Sequence, residues 1–268
     1  MKEVAILLHL TMWIGSAMAQ PSRCTPDLAL GIYAFAYEGY LMRPTEREAR
    51  VPIAGLALIS IDSQGVISGQ GYEGRQSIGG GVVQKSLNGA IQINSDCTGT
   101  VDWGGGVTEK LVASGDGQEI YSLQTASSSP PVVTGRWKRI SRVPRTVDPA
   151  QCQPGNMTGR YVNELHGFIL GFPPRVSQLY AMPLAAVTSG SFWPSGLAIG
   201  RGIGSQGGVT SLIGINTQWW GYPDCTFHLG HLESQTDVWG VVLDGGNELW
   251  GIALSGYLGT WRRIAMQP

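Results

Sequence analysis

One pattern occurs twice along this chain, and that repetition constrains the fold more than any single motif. A shift of 128 residues lays Gly31, Ile32 and Tyr33 on Gly159, Arg160 and Tyr161, Gly39 on Gly167, and Asp96, Cys97 and Thr98 on Asp224, Cys225 and Thr226. A shift of 129 lays Gly117, Gln118, Glu119 and Ile120 on Gly246, Asn247, Glu248 and Leu249. Both copies close alike, Gly135-Arg136-Trp137-Lys138-Arg139-Ile140 answering Gly259-Thr260-Trp261-Arg262-Arg263-Ile264. Each copy, about 115 residues long, has the size of a small domain. The expected units are residues 20–141 and 152–268. The linker between them, 142–151, carries two prolines and no apolar period.

Within each copy the apolar period is two, the signature of strands. Residues 54–61 and 65–72 flank Asp62-Ser63-Gln64-Gly65, residues 107–113 and 118–124 flank Gly115-Asp116-Gly117, and residues 237–243 and 247–254 flank Asp244-Gly245-Gly246. These are hairpins by their turn residues. Further strands are expected near 31–40, 81–85, 89–95, 98–103 and 132–140, giving eight or nine per copy. Gly and Pro make up about one residue in five, and no segment has a helical face. The fold class is therefore all-β. Two tandem antiparallel eight-stranded barrels hide every strand edge; one larger barrel or two sandwiches are the alternatives. An eight-stranded barrel has an interior that side chains fill or that holds one small ligand.

The amino-terminal end reads as a signal peptide. Lys2 precedes an apolar run over residues 4–15, and Ala17 and Ala19 provide the small-residue cleavage pattern, so the mature chain starts at Gln20. No later stretch is long enough to span a bilayer. The protein is expected to be secreted, or periplasmic in a bacterium, where disulfides persist. Cys24 and Cys97 are separated by the same 73 residues as Cys152 and Cys225, which favours one bridge inside each half over free thiols. No Cys/His spacing suits a metal. A net charge of −1 gives no footprint for nucleic acid and no basic face for a membrane.

The order of these features carries a resemblance. The G-x-Y start, the Gly-rich hairpin ending in Asp62-x-x-Gly65, the stretch from Gly89 through Cys97 to Thr100, and the closing Gly135-Arg136-Trp137-Lys138 resemble the allene oxide cyclase barrel-like family of secreted calycin-type proteins. The resemblance implies a closed barrel with a ligand-sized cavity and cofactor-free cyclisation of a hydrophobic substrate. In the plant cyclases an acid and, two positions later, an asparagine sit inside the cavity on the first strand. In the second copy Asn163 takes the asparagine's place and Tyr161 the acid's; the first copy has Tyr33-Ala34-Phe35.

The copies are unequal, and the inequality places a site in the second. It holds His166, His228 and His231, and Trp193, Trp219, Trp220, Trp239, Trp250 and Trp261, against Trp103 and Trp137 in the first. Trp261 matches Trp137, and both read as core of the closing strand. On a regular strand His231 shares a face with Glu233 and opposes His228, and a bulge at Gly230 would bring the histidines together. Glu164 and His166 form a second alternate pair. The candidate catalytic residues are thus Asn163, Glu164, His166, His231 and Glu233. Candidate substrate contacts are Tyr161, Trp219, Trp220, Tyr222, His228, Trp239 and Trp250; extra tryptophans that merely fill a wider barrel are the alternative. Gly202-Ile203-Gly204-Ser205-Gln206-Gly207 lacks the strand-then-helix context of a dinucleotide loop and reads as a turn. No cofactor is expected.

The expected function is a secreted, cofactor-independent cyclase or isomerase acting on a hydrophobic small molecule, polyketide-, terpenoid- or lipid-derived. A non-catalytic carrier of the same ligands and a carbohydrate- or wall-binding module using surface aromatics are the alternatives. Pairing of two chains as a homodimer stays open.

Overall fold

A computed structural model describes residues 24–42, 50–75, 82–126, 132–144, 147–148, 150, 152–171, 180–206, 208–231, 234–253 and 257–265. The signal peptide expected over residues 1–19 lies outside them. The described residues form two closed eight-stranded antiparallel barrels and no α-helix. The first comprises β1 (Gly31–Met42), β2 (Arg50–Ile61), β3 (Val66–Arg75), β4 (Val82–Ile93), β5 (Thr98–Asp102), β6 (Thr108–Ala113), β7 (Glu119–Ala126) and β8 (Val132–Ser141). The second comprises β9 (Gly159–Gly171), β10 (Tyr180–Phe192), β11 (Leu197–Gln206), β12 (Val209–Gly221), β13 (Thr226–His231), β14 (Ser234–Leu243), β15 (Glu248–Ala253) and β16 (Tyr257–Ala265). Each is a meander that closes when its last strand pairs with its first. The alternatives of one larger barrel or two sandwiches are thereby overturned. Two local expectations are also corrected. The strands expected at 81–85 and 89–95 belong to the single strand β4, and the described part of the glycine stretch read as a turn, residues 202–206, lies on β11.

The repeated motifs fasten one end of each barrel. Cys24 is bridged to Cys97, and Cys152 to Cys225, with Cα separations of 5.1 and 4.7 Å. Cys97 and Cys225 both adopt positive φ, 68° and 65°, which L side chains rarely take. The preceding aspartate supports that turn: Asp96 Oδ1 accepts from the Thr98 amide and hydroxyl at 3.0 and 2.6 Å, and Asp224 does the same for Thr226 at the same distances. The tyrosine of G-x-Y reaches the neighbouring hairpin turn. Tyr33 donates to the Gly117 carbonyl at 3.1 Å and accepts from Arg139 Nε at 2.9 Å. Tyr161 donates to the Gly246 carbonyl at 2.7 Å and accepts from Arg263 Nε at 3.2 Å. Burial pushes both phenols up in pKa, against the pull of the adjoining guanidinium. Tyr161 is thus a clamp inside the fold, which corrects its expected role as a substrate contact.

A third apolar cluster joins the barrels. Ala34, Ala54 and Leu56 of the first pack against Val241, Leu243, Trp250, Ile252 and Leu258 of the second. Tyr72 lies 4.9 Å from Trp239, Arg136 lies 5.2 Å from the Trp250 ring, and Lys138 pairs with Glu248. All six residues of β15 are buried, because one face of that strand looks into its barrel and the other into this junction.

Candidate functional site: a cavity inside the second barrel

The two barrels place different side chains at the same depth. In the first, Phe35 lies opposite Ala57 on one side and Trp137 on the other. The Phe35 ring sits 5.5 Å from Trp103 and 4.6 Å from Trp137, and the two indoles are 5.8 Å apart, so aromatic rings fill the interior. Glu109 is buried among them and accepts from Trp103 Nε1 at 2.9 Å. In the second barrel the corresponding residue is Asn163, opposite Thr188 on one side and Trp261 on the other. A ring has become an amide.

Glycine withholds volume as well. Gly190 of β10 and Gly214 of β12 border the interior space, and a Cβ added at Gly214 would meet nothing within 4 Å. The result is a cavity of about 340 Å³, lined chiefly by Leu165, Phe192, Ile213, Ile215, Leu229, Val238 and Trp261. Towards the clamped end an aromatic floor supports it: Phe192 packs edge-on against Tyr161 at 5.1 Å and Trp219 at 5.9 Å.

Polar residues interrupt the apolar lining: Ser191, Asn216 and Thr217, and, fully buried, Asn163 and Thr188. Asn163 and Thr188 are each 2% exposed, and Asn163 Oδ1 and Thr188 Oγ1 have no hydrogen-bond partner among the described residues. An unsatisfied buried polar group costs about 1–3 kcal/mol. The two residues face each other across the β9–β10 pair, so one guest atom can meet both. None of the described lining residues is titratable.

The other predicted site residues fall elsewhere. Strand parity turns Tyr161, Asn163 and Leu165 inward and Glu164 and His166 outward, so the alternate pair of Glu164 and His166, two of the candidate catalytic residues, does not line the cavity. His166 Nε2 lies 3.3 Å from Glu38 of the first barrel, an ion pair that raises the histidine's pKa and lowers the carboxylate's. His228 is half-buried beside Trp220, ring centroids 5.9 Å apart. The β13–β14 register shifts between Leu229 and His231, the place where glycine leaves room for a bulge. The His231 side chain and Glu233 lie outside the described residues. Trp219 belongs to the floor, with Nε1 donating to the Trp193 carbonyl at 3.1 Å. Trp239 and Trp250 stand in the inter-barrel junction, Trp250 donating to Glu248 at 2.7 Å, so they do not form one wall with Trp219. Trp220 and Tyr222 are exposed, 42% and 47%.

Sequence reasoning missed Thr188, Phe192 and Gly214. No group of three or more metal-ligating side chains occurs among the described residues, and no described helix is long and apolar enough to cross a membrane.

Comparison with known proteins adds little to this geometry. No protein-family model matches the chain, and no curated protein matches it. Among solved structures, a protein described as an AttH from Nitrosomonas europaea aligns at 12% identity over 92% of this chain and 97% of its own, with a TM-score of 0.29. A DUF3598-family protein of unknown function from Nostoc punctiforme PCC 73102 aligns at 10% identity over 92% of this chain and all of its own, with a TM-score of 0.24. Superpositions this loose assign neither a family nor a function.

Proposed function

We propose that the second barrel receives a compact, largely apolar small molecule and holds it by one polar group at Asn163 and Thr188. The observation that carries this reading is the pair of opposed, buried, unpartnered oxygens inside a largely apolar cavity. A cavity of about 340 Å³ is at the small end of ligand pockets, which combine apolar walls with a few placed polar groups. Export of the protein is part of the proposal, supported by the amino-terminal signal pattern and by the two disulfides.

Without a titratable group among its described lining residues, the cavity acts through shape and hydrogen bonding rather than proton transfer. That suits a carrier. It also suits a cofactor-free cyclase or isomerase that restrains a flexible chain so its reactive ends meet, a device that supplies up to roughly 7–11 kcal/mol. The resemblance to the allene oxide cyclase barrel-like family and the asparagine at position 163 favour the cyclase as the second reading.

The test is calorimetric titration of the purified protein with neutral ten-carbon terpenoids, beside the Asn163→Phe variant. Saturable binding at one site in the wild type, lost in the variant, is the expected result. Equal binding by both would put the ligand elsewhere, and binding by neither would remove the cavity from consideration.

A further inference from the structure

We infer that the molecule held in the second barrel is an uncharged compound presenting a hydroxyl group, and that ionised carboxylates are excluded; this rests on the cavity being the binding site. Asn163 Oδ1 accepts hydrogen bonds and cannot donate, so its partner must carry a proton. Thr188 Oγ1 both donates and accepts. A single hydroxyl oxygen meets both requirements, donating to Asn163 Oδ1 while accepting the Thr188 proton. The geometry allows this, because the two residues are direct cross-strand partners, whose Cβ atoms stand about 4.5–5.5 Å apart.

Other polar groups fit less well. A ketone or aldehyde accepts from Thr188 and leaves the Asn163 oxygen facing a second acceptor. A carboxylate is worse: it brings a charge out of water to a place where no described lining side chain is cationic. Arg263, a cation present in both repeats, is committed to Tyr161 at the clamped end. His166 stands on the outer surface against Glu38. On the far side of Asn163 the Trp261 indole presents an apolar wall, so the hydroxyl is read from the Thr188 side, and the rest of the guest packs against Phe192 and Ile213.

The experiment uses one carbon skeleton with three head groups, geraniol, geranial and geranate, titrated calorimetrically at neutral pH into the full-length secreted protein. The alcohol is expected to bind about tenfold or more tightly than the aldehyde, and geranate to show no saturable binding. Asn163→Leu and Thr188→Val, each checked for a wild-type unfolding transition, are expected to close the gap between alcohol and aldehyde. Equal affinity for alcohol and aldehyde, saturable binding of geranate, or a gap unchanged in both variants would overturn the head-group assignment while leaving the cavity as a binding site. If none of the three binds the wild type, the cavity proposal falls and this inference falls with it.

Discussion

Phe35 and Asn163 occupy the same place in the two barrels, each directly opposite its barrel's closing tryptophan, Trp137 or Trp261. The first completes a stack of rings and the second borders a hollow. One repeat has kept a solid core while the other has exchanged stabilising contacts for space.

That exchange predicts an asymmetric pair of substitutions. Asn163→Phe, alone or with Thr188→Ala, rebuilds the first barrel's row and should raise stability by about 1–3 kcal/mol, since it removes an unsatisfied amide and fills space. Phe35→Asn should lower it by about 3–5 kcal/mol. Urea unfolding followed by tryptophan fluorescence checks both; a destabilising Asn163→Phe would mean the second barrel has no room for the ring.

Removing the second bridge by Cys152→Ser with Cys225→Ser opens a loop spanning a sequence separation of 73. In the chain-entropy model the expected loss is roughly 4 kcal/mol. Removing the first bridge should act equally, and calorimetric melting of the two variants compares them.

Glu109 makes the first barrel sensitive to pH. Burial pushes its carboxyl above the usual value of 4.5, with the Trp103 hydrogen bond opposing. The folded state therefore holds the proton more tightly than the unfolded chain. The stability this group supplies is complete below about pH 4.5 and is lost as pH rises through the raised folded value. Glu109→Gln should remove that loss, so melting curves of variant and wild type should diverge as pH rises above about 4.5, the variant being the more stable at the upper end.

The ion pair between the barrels has its own window. His166 is raised from 6.5 by its hydrogen bond to Glu38, and Glu38 is lowered from 4.5 by His166. The histidine's contribution is full below about pH 6.5 and lost as pH rises through its folded value. The carboxylate's is full above about pH 4.5 and lost as pH falls through its own. Both side chains are nearly half exposed, so the pair is worth only about 0.2–1 kcal/mol. His166→Gln should flatten this component of the stability profile above about pH 6.5, as read by thermal melts.

Much of this architecture is legible in the sequence because it is local. The repeated Gly-x-Tyr, Asp-Cys-Thr and Trp-x-Arg segments each fasten a turn to its neighbour, and equal cysteine spacing points to the bridges that form. Asn163 was reachable from its place beside Tyr161 on the first strand. Parity would also have turned His166 outward, once the buried tyrosine fixed the inward phase. The junction was not legible. Trp250 is buried, and Trp239 partly buried, by the docking of two closed surfaces, and no period within one strand reports a partner barrel. The β11 glycines misled for a different reason: closely spaced glycines usually mark turns, and here Gly200 and Gly202 lie within a strand, where a Cβ would strike the β10 backbone.

Native mass spectrometry of wild-type and Asn163→Phe protein, both expressed and purified from the producing organism, puts the cavity to the most direct test. A neutral small-molecule mass retained by the wild type and absent from the variant is expected. Wild-type protein that carries no added mass, or a variant that carries the same one, would contradict a ligand in the second barrel.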